Sequence, residues 1–323
     1  MIGLKPRHTH HFCAGRSSCS ILAELSSQDS LSLTGIADMP KCSVVDEPEN
    51  LKQRGYVALL DVLGFSDFIA SDRQGETLGD YHSFIHAVMG SQDPPGMVEF
   101  VVFSDSIVLT IPSDKTDALL RLVTQCSRAF SMLLDVGIPI RGAISCGKYL
   151  RVPSDHGVFV AGSAIIDAYK YESLQNWVGI MLTPTAVSSV PNLSALCDIS
   201  KLPATPLVAA SRGKQTVPFA DMRWAACVQH CPNIPFHSEK GAGGDYEGFA
   251  IVPGGGPSTP DLICRGIQNR MVKLKELKSL APDPAAQRKY SHSYKWFNEV
   301  HVRWASLPQA FRDTYAQGRN DPP

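Results

Sequence analysis

Tyr56-Val-Ala-Leu-Leu-Asp-Val-Leu-Gly-Phe65 is an apolar run interrupted by one acid, Asp61, and closed by Gly64. A short apolar run bounded by a turn residue reads as a strand buried in the middle of a sheet. A carboxylate in such a strand loses water and needs a compensating partner, so Asp61 is the first residue to explain. Gly64 ends the strand, Ser66-Asp67 offers a cap for a short helix, and residues 78–89 read as a further helix before Pro94-Pro95-Gly96 closes the section.

Val98 to Phe103 and Ile107 to Ile111 are two β-rich runs separated by Ser104-Asp105-Ser106, the pattern of a hairpin with Asp105 at its tip. Ala118, Leu119, Leu122, Val123, Cys126, Ala129, Phe130, Leu133 and Leu134 then repeat with helical spacing, and Gly137 supplies the stop. Strands are predicted over 138–145, 157–160 and 178–182, with a helix over 163–174 before the last. The resulting order is that of a split βαβ, ferredoxin-like core with additions, an α+β fold.

The chain has 323 residues, enough for one large domain with appendages. Residues 1–50 are rich in Ser, His and Cys without any period, and read as a disordered tail or as the product of a start assigned ahead of Met39. Within that stretch His8, His10, His11 and Cys13 follow no finger spacing. The catalytic domain is expected over 51–205, and 206–323 as a loop-rich and helical extension packed on it. In that extension many prolines and the glycine runs at 241–244 and 254–256 read as loops. Two closing helices follow, over 262–280 and 285–307, split by Pro282-Asp283-Pro284. Tyr290, Tyr294, Trp296, Phe297 and Trp304 on the second are expected to be core or dimer contacts.

A formal net charge of -1 excludes a global basic field for nucleic acid or anionic membrane. No apolar run reaches the roughly 20 residues that span a bilayer, and the expectation is a soluble, cytoplasmic protein. The nine cysteines are an odd number with no framework spacing, and reduced thiols are expected. Cys227 and Cys231 with His230 lack the second pair of a zinc site, and the glycine runs lack the lysine of a phosphate loop.

The chemistry centres on Asp61 and Asp105. A central strand ending in an acid beside a hairpin tipped with another brings two carboxylates to one sheet edge, where unpaired charges repel. A divalent cation relieves this, and Mg²⁺ is commonly held by one or two carboxylates with phosphate oxygens and waters. The alternative from the same residues is that Asp105 serves the turn and Asp61 the helix start.

Asp61-Val62-Leu63-Gly64-Phe65-Ser66 resembles the Asp-Ile-x-Gly-Phe-Thr motif of the class III adenylate and guanylate cyclases, and Ser104-Asp105 falls where that family has Gly-Asp. Arg141-Gly-Ala-Ile-Ser-Cys-Gly147 resembles the family's Arg-Val-Gly-Ile-His-x-Gly strand, and Gly162 with Ala168 and Glu172 resembles its Gly-x-x-x-Asn-x-Ala-x-Arg-x-Glu helix. The likeness covers roughly residues 56–182. It implies a cyclase catalytic domain with two Mg²⁺ or Mn²⁺ ions on Asp61, the Val62 carbonyl and Asp105. It further implies phosphate on the backbone at Gly64, Phe65 and Ser66, and Arg141 at the triphosphate. Such sites form between two chains, which implies a homodimer in which Lys170 of one chain, at the usual Arg position, serves the other's acids.

The chain departs from that pattern at the base. Val101 stands where adenylate cyclases have Lys and guanylate cyclases Glu, and Phe159 where they have Asp and Cys. A site that has lost its hydrogen-bonding readers discriminates poorly between purines, and Phe159 narrows the pocket. Ile166 replaces the usual Asn, and Lys170 keeps a charge without the bidentate fork. The wording Leu-Asp-Val-Leu-Gly-Phe, Phe-Ser-Asp-Ser-Ile and Gly-Ser-Ala-Ile-Ile-Asp-Ala-Tyr is similar to the pyrimidine cyclases of bacterial Pycsar antiphage systems. That resemblance implies cyclic UMP, or cyclic CMP, made from the triphosphate for a separate effector. The alternatives are a catalytically dead, nucleotide-binding or dimerising module and an adenylate cyclase.

Overall fold

Strand β1 (Lys52–Val62) owes its central place to its composition: Tyr56 to Leu60 are all buried, and neighbours flank it on both sides. The protein, seen in a computed structural model, is described over residues 52–66, 76–90, 98–154, 157–202, 219–237, 245–254, 259–309 and 311–312. The N-terminal tail with its His8 to Cys13 cluster lies outside the described residues, as do Asp67, Gly241 to Gly244, Gly255 and Gly256.

After β1 come α1 (Glu76–Gly90), the hairpin β2 (Glu99–Phe103) and β3 (Ser106–Ile111), and α2 (Thr116–Asp135). Strand β4 (Ile140–Ser154), β5 (Gly157–Ala161), α3 (Ser163–Leu174) and β6 (Gly179–Leu182) follow. The sheet order begins β2-β3-β1-β4, each neighbour antiparallel to the next. Read from β4 this is 4-1-3-2, the split βαβ arrangement expected from the sequence. Strand β6 then lies parallel to β4, with α3 as part of the crossover.

Side chains alternate across β1. Tyr56, Ala58, Leu60 and Val62 enter the main core with α1 and α2, whereas Val57 packs on the other face against Tyr149 and Ala164 of α3. Asp61 belongs to this second face by the same two-residue period. Helix α3 turns Ala164, Ala168 and Glu172 inward, one every four residues. Its entry depends on Gly162 at φ 142°, where an added Cβ would lie 2.5 Å from the Lys148 carbonyl oxygen.

Between residue 205 and the two closing helices, where the sequence reads as loops, the structure shows a helix and two strands instead. Short helices α4 (Pro184–Ser188), α5 (Leu193–Leu196) and α6 (Phe219–Cys227) precede two strands, β7 (Val228–Pro235) and β8 (Asp245–Ile251), and these extend the sheet in the order β6-β8-β7. Pro232 and a bulge between Cys231 and Ile234 break the alternation by which a strand is recognised. Strand β4 also runs nine residues beyond the expected end at Ser145, as the long arm that pairs with β5.

The closing helices α7 (Pro260–Leu280) and α8 (Pro284–Ala305) start where Thr259 and Asp283 cap them. Trp296, Phe297, Val300 and Trp304 of α8 are buried, with the Trp296 ring 5.3 Å from that of Trp177 and Phe297 6.0 Å from Phe130. These aromatics are core, as expected. No helix among the described residues is long and apolar enough to cross a membrane.

Candidate active site

At the C-terminal end of β1, Asp61 pairs in register with Ser106 of β3 on one side and Arg141 of β4 on the other. The β2–β3 connection is a two-residue turn, Ser104-Asp105, with Phe103 opposite Ser106. Ser104 sits at φ 55°, a conformation that favours glycine, so the turn is held against a local cost. It is tied to β1 by the Val62 amide, which donates to the Asp105 carbonyl oxygen at 2.9 Å. The strand end and the acid at the hairpin tip are thereby fixed against each other.

Their charges interact. The Asp61 carboxyl is pushed above the ordinary carboxylate range chiefly by burial, with Arg141 opposing and the Asp105 charge adding to the rise. Tyr81 of α1 stands near both acids, and its phenol is pushed up to about 12 by burial and then by Asp105 and Asp61. Among the described residues no group of three or more His, Cys, Asp or Glu side chains gathers as a metal cage.

Arg141 is the hub on the opposite side. One terminal nitrogen lies 3.3 Å from an Asp61 carboxylate oxygen and 2.5 Å from a Glu172 oxygen, and the other donates to the Gln175 carbonyl at 3.0 Å. Gln175 is itself locked: its amide donates to the Gly142 and Tyr171 carbonyls, and its side-chain oxygen accepts from the Trp177 indole at 2.7 Å. The guanidinium is therefore spent on two carboxylates and a carbonyl rather than aimed into open space. Glu172 was visible in the sequence as part of the α3 motif; its bond to Arg141 and the Gln175 lock were not.

Gly64 at φ 78° turns the chain sharply after β1, and the Leu63 amide donates to the Pro139 carbonyl at 2.9 Å. Val62, Leu63, Gly64 and Phe65 line a cavity of about 160 Å³ closed by Tyr81, Pro139, Leu277 and Tyr290. A larger cavity of about 320 Å³ lies elsewhere, against Asp198, Gln229, His230 and Arg303, and holds none of the residues that the cyclase resemblance implies.

Val101 lies in β2 opposite Val108, half-buried, while Phe159 lies in β5 opposite Val152 and is 59% exposed. Arg151 of β4 pairs with Glu99 of β2 at 3.2 Å. Ile166, 70% exposed, and Lys170 face outward from α3, with the Lys170 ammonium 5.7 Å from the Tyr171 ring centre. Within one chain, then, Arg141 pairs with Asp61 at the sheet end, the Asp105 backbone is bonded to the neighbouring Val62, and Lys170 lies exposed on α3. Cys227 and Cys231 are buried free thiols, and His230 pairs with Glu247 at 2.9 Å.

No protein family matches the sequence by profile, and no curated protein matches it. Solved structures similar to the chain include a class III adenylyl cyclase-like ATP-binding protein from Pseudomonas aeruginosa, at 11% identity and a TM-score of 0.35 over 46% of this chain and 37% of that one. The adenylyl cyclase CyaB of the same organism is similar at 13% identity and a TM-score of 0.38, over 62% of this chain and 94% of that one. An adenylate cyclase from Trypanosoma brucei is similar at 12% identity and a TM-score of 0.40, over 65% and 95%. The chain spans little more than a third of the first of these. The activities belong to those proteins; the fold assigned here stands on this chain's own strand pairing.

Proposed function

We propose that the chain is a nucleotidyl cyclase of the class III type, forming a 3′,5′-cyclic nucleotide and pyrophosphate from a nucleoside triphosphate. The observation that supports it most is the tie between the end of β1 and the hairpin tip, which brings Asp61 and Asp105 into electrostatic contact beside Arg141. Two adjacent carboxylates at a glycine turn are oxygen donors of the kind that Mg²⁺ or Mn²⁺ takes. The Asp61 carboxyl is raised chiefly by burial, with Asp105 adding to the rise and Arg141 and Lys289 opposing it, and a bound cation would offset that cost. Asp61, Asp105 and the Val62 carbonyl would hold two such ions, with phosphate and water completing each shell. Bound there, the ions supply acidity to the ribose 3′-hydroxyl and charge neutralisation to the departing pyrophosphate.

The chain's own residues do the positioning. Arg141 orients the Asp61 carboxylate and holds Glu172, which fixes the inward face of α3. Backbone amides at Gly64, Phe65 and Ser66, following the turn, suit phosphate oxygens. Val101 and Phe159 offer the base apolar surface without hydrogen bonds, which favours a small pyrimidine; UTP is the preferred substrate and CTP the next. Phe103, Phe159, Ile166 and Tyr169 are large exposed apolar side chains on the hairpin, β5 and α3, a surface suited to a second copy of the chain. In such a homodimer Lys170 of one chain would complete the site of the other. The product would act as a cytoplasmic second messenger on a separate effector, the role implied by the Pycsar resemblance.

Ile166 and Lys170, in place of the transition-state pair, favour one second reading: a fold that binds nucleotide without turning it over. Incubation with Mn²⁺ and each of the four nucleoside triphosphates, with products identified by mass, separates the two. A cyclic pyrimidine is the expected product. A cyclic purine alone would overturn the base assignment, and binding without any cyclic product would favour the second reading.

A further inference from the structure

We infer that helix α8 is part of the phosphate site and that Lys289, on its first turns, is the ammonium that meets the triphosphate of the substrate. The inference rests on the cyclase reading for the identity of the ligand, but its geometry does not. Lys289 is placed by a short chain of bonds. The Ser293 hydroxyl donates to the Lys289 carbonyl at 3.1 Å and accepts the Val178 amide at 2.8 Å. Val178 precedes Gly179, the register partner of Arg141, which in turn is the partner of Asp61. Below it, Trp296 and Phe297 anchor the helix against Trp177 and Phe130. The next residue, Tyr290, lines the cavity against Val62, Leu63, Gly64 and Phe65, the turn assigned to phosphate.

From this position the charges of Arg141, Asp283, Asp61 and Glu172 all act on Lys289, the three acids opposing the effect of the arginine. The charges already present explain why it has room for a ligand. Arg141 is committed to Asp61 and Glu172, and Asp283 to the cap of α8, where it accepts from the Ala285 and Ala286 amides. Among the described residues, Lys289 makes no ion pair of its own. A lysine kept only for solubility lies in water, where its charge costs nothing; this one is half-buried beside an arginine. Burial first, and Arg141 second, depress its ammonium below the ordinary lysine range. A polyanion lying on the Gly64 turn would offset both effects, and a flexible ammonium is a suitable point charge for it. A pair of helices following the sheet, which the sequence leaves without a role, becomes a wall of the site.

The test compares the wild type with Lys289→Met, Lys289→Gln and Lys289→Arg in the full chain. Binding of inorganic tripolyphosphate with Mg²⁺ is measured by calorimetry, together with kcat, KM and the thermal midpoint. Loss of one charge-assisted contact should weaken tripolyphosphate binding and raise KM about tenfold or more, while Lys289→Arg recovers most of the loss. Thermal midpoints within a few degrees of wild type establish that the fold is kept, and Lys289→Gln serves where Lys289→Met unfolds. Unchanged binding and KM in Met and Gln variants of an active enzyme would overturn the inference and leave the cyclase reading intact. Absence of tripolyphosphate binding by the wild type would also overturn it. Lys289-dependent tripolyphosphate binding in a protein that cyclises no nucleotide would uphold it while removing the cyclase reading.

Discussion

Replacing Arg141 by Met removes a cation from between two carboxylates while roughly keeping the volume of the stem. Glu172 is only 6% exposed and Arg141 15%, so water screens their attraction little, whereas Asp61 at 24% retains more solvent. Taking one partner from a buried pair costs about 3–5 kcal/mol, because the remaining charge is stranded. The Gln175 carbonyl also loses a donor, worth about 1 kcal/mol. Allowing for relaxation of Glu172 towards water, we expect about 3 kcal/mol. In a domain of this size each kcal/mol moves the midpoint by about 2–4 °C, so Arg141→Met should unfold roughly 6–12 °C lower. Circular dichroism melts at pH 8 without added metal read this directly. Adding Glu172→Gln to Arg141→Met removes the stranded charge and should recover about half of the loss. A shift of less than about 2 °C for Arg141→Met, or a further loss in the double variant, would refute the description of Arg141 as the hub.

Three further outcomes follow from the same geometry. Because the Asp61 carboxyl is raised in the folded chain, its contribution to stability is full at acid pH and is lost as pH rises through that raised value. Asp61→Asn should therefore melt above wild type at pH 8, with the gap closing on acidification and with turnover abolished; a lower midpoint at pH 8 contradicts this. Gly162→Ala forces a Cβ to within 2.5 Å of the Lys148 carbonyl at φ 142°, and should cost about 2 kcal/mol or more in urea denaturation; an unchanged urea midpoint would show that α3 does not depend on this turn. Mixing Asp61→Ala with Lys170→Ala chains should restore part of the activity that each lacks alone, and failure of all such mixtures of folded chains would dispose of the shared site.

What could be read from the sequence was what local pattern dictates. The apolar run at Tyr56, the two β-runs around Asp105 and the helical stripe from Ala118 to Leu134 each bury one continuous segment, so their periods survive in the chain. Strands β7 and β8 escaped because Pro232 and the bulge after Cys231 erase alternation in one, and a glycine, Gly248, punctuates the other. Asp61, Asp105 and Arg141 were legible as words of a motif, but the turning of Arg141 onto Glu172 depends on the Gln175 lock, a contact between β4 and the end of α3. Lys289 left a faint signal. Ser293, Trp296, Val300 and Trp304 form the buried stripe of α8, and Lys289 stands one turn before Ser293 on that face, an odd place for a charge.

The pairing of Asp61 with Asp105 as a cation site is tested most directly by titrating Mn²⁺ into the protein with a 3′-deoxynucleoside triphosphate, which binds but cannot cyclise, and following free Mn²⁺ by electron paramagnetic resonance. Saturable binding of two ions per site is expected in the wild type, reduced in both Asp61→Asn and Asp105→Asn. Equal Mn²⁺ uptake by the wild type and both variants would contradict the account.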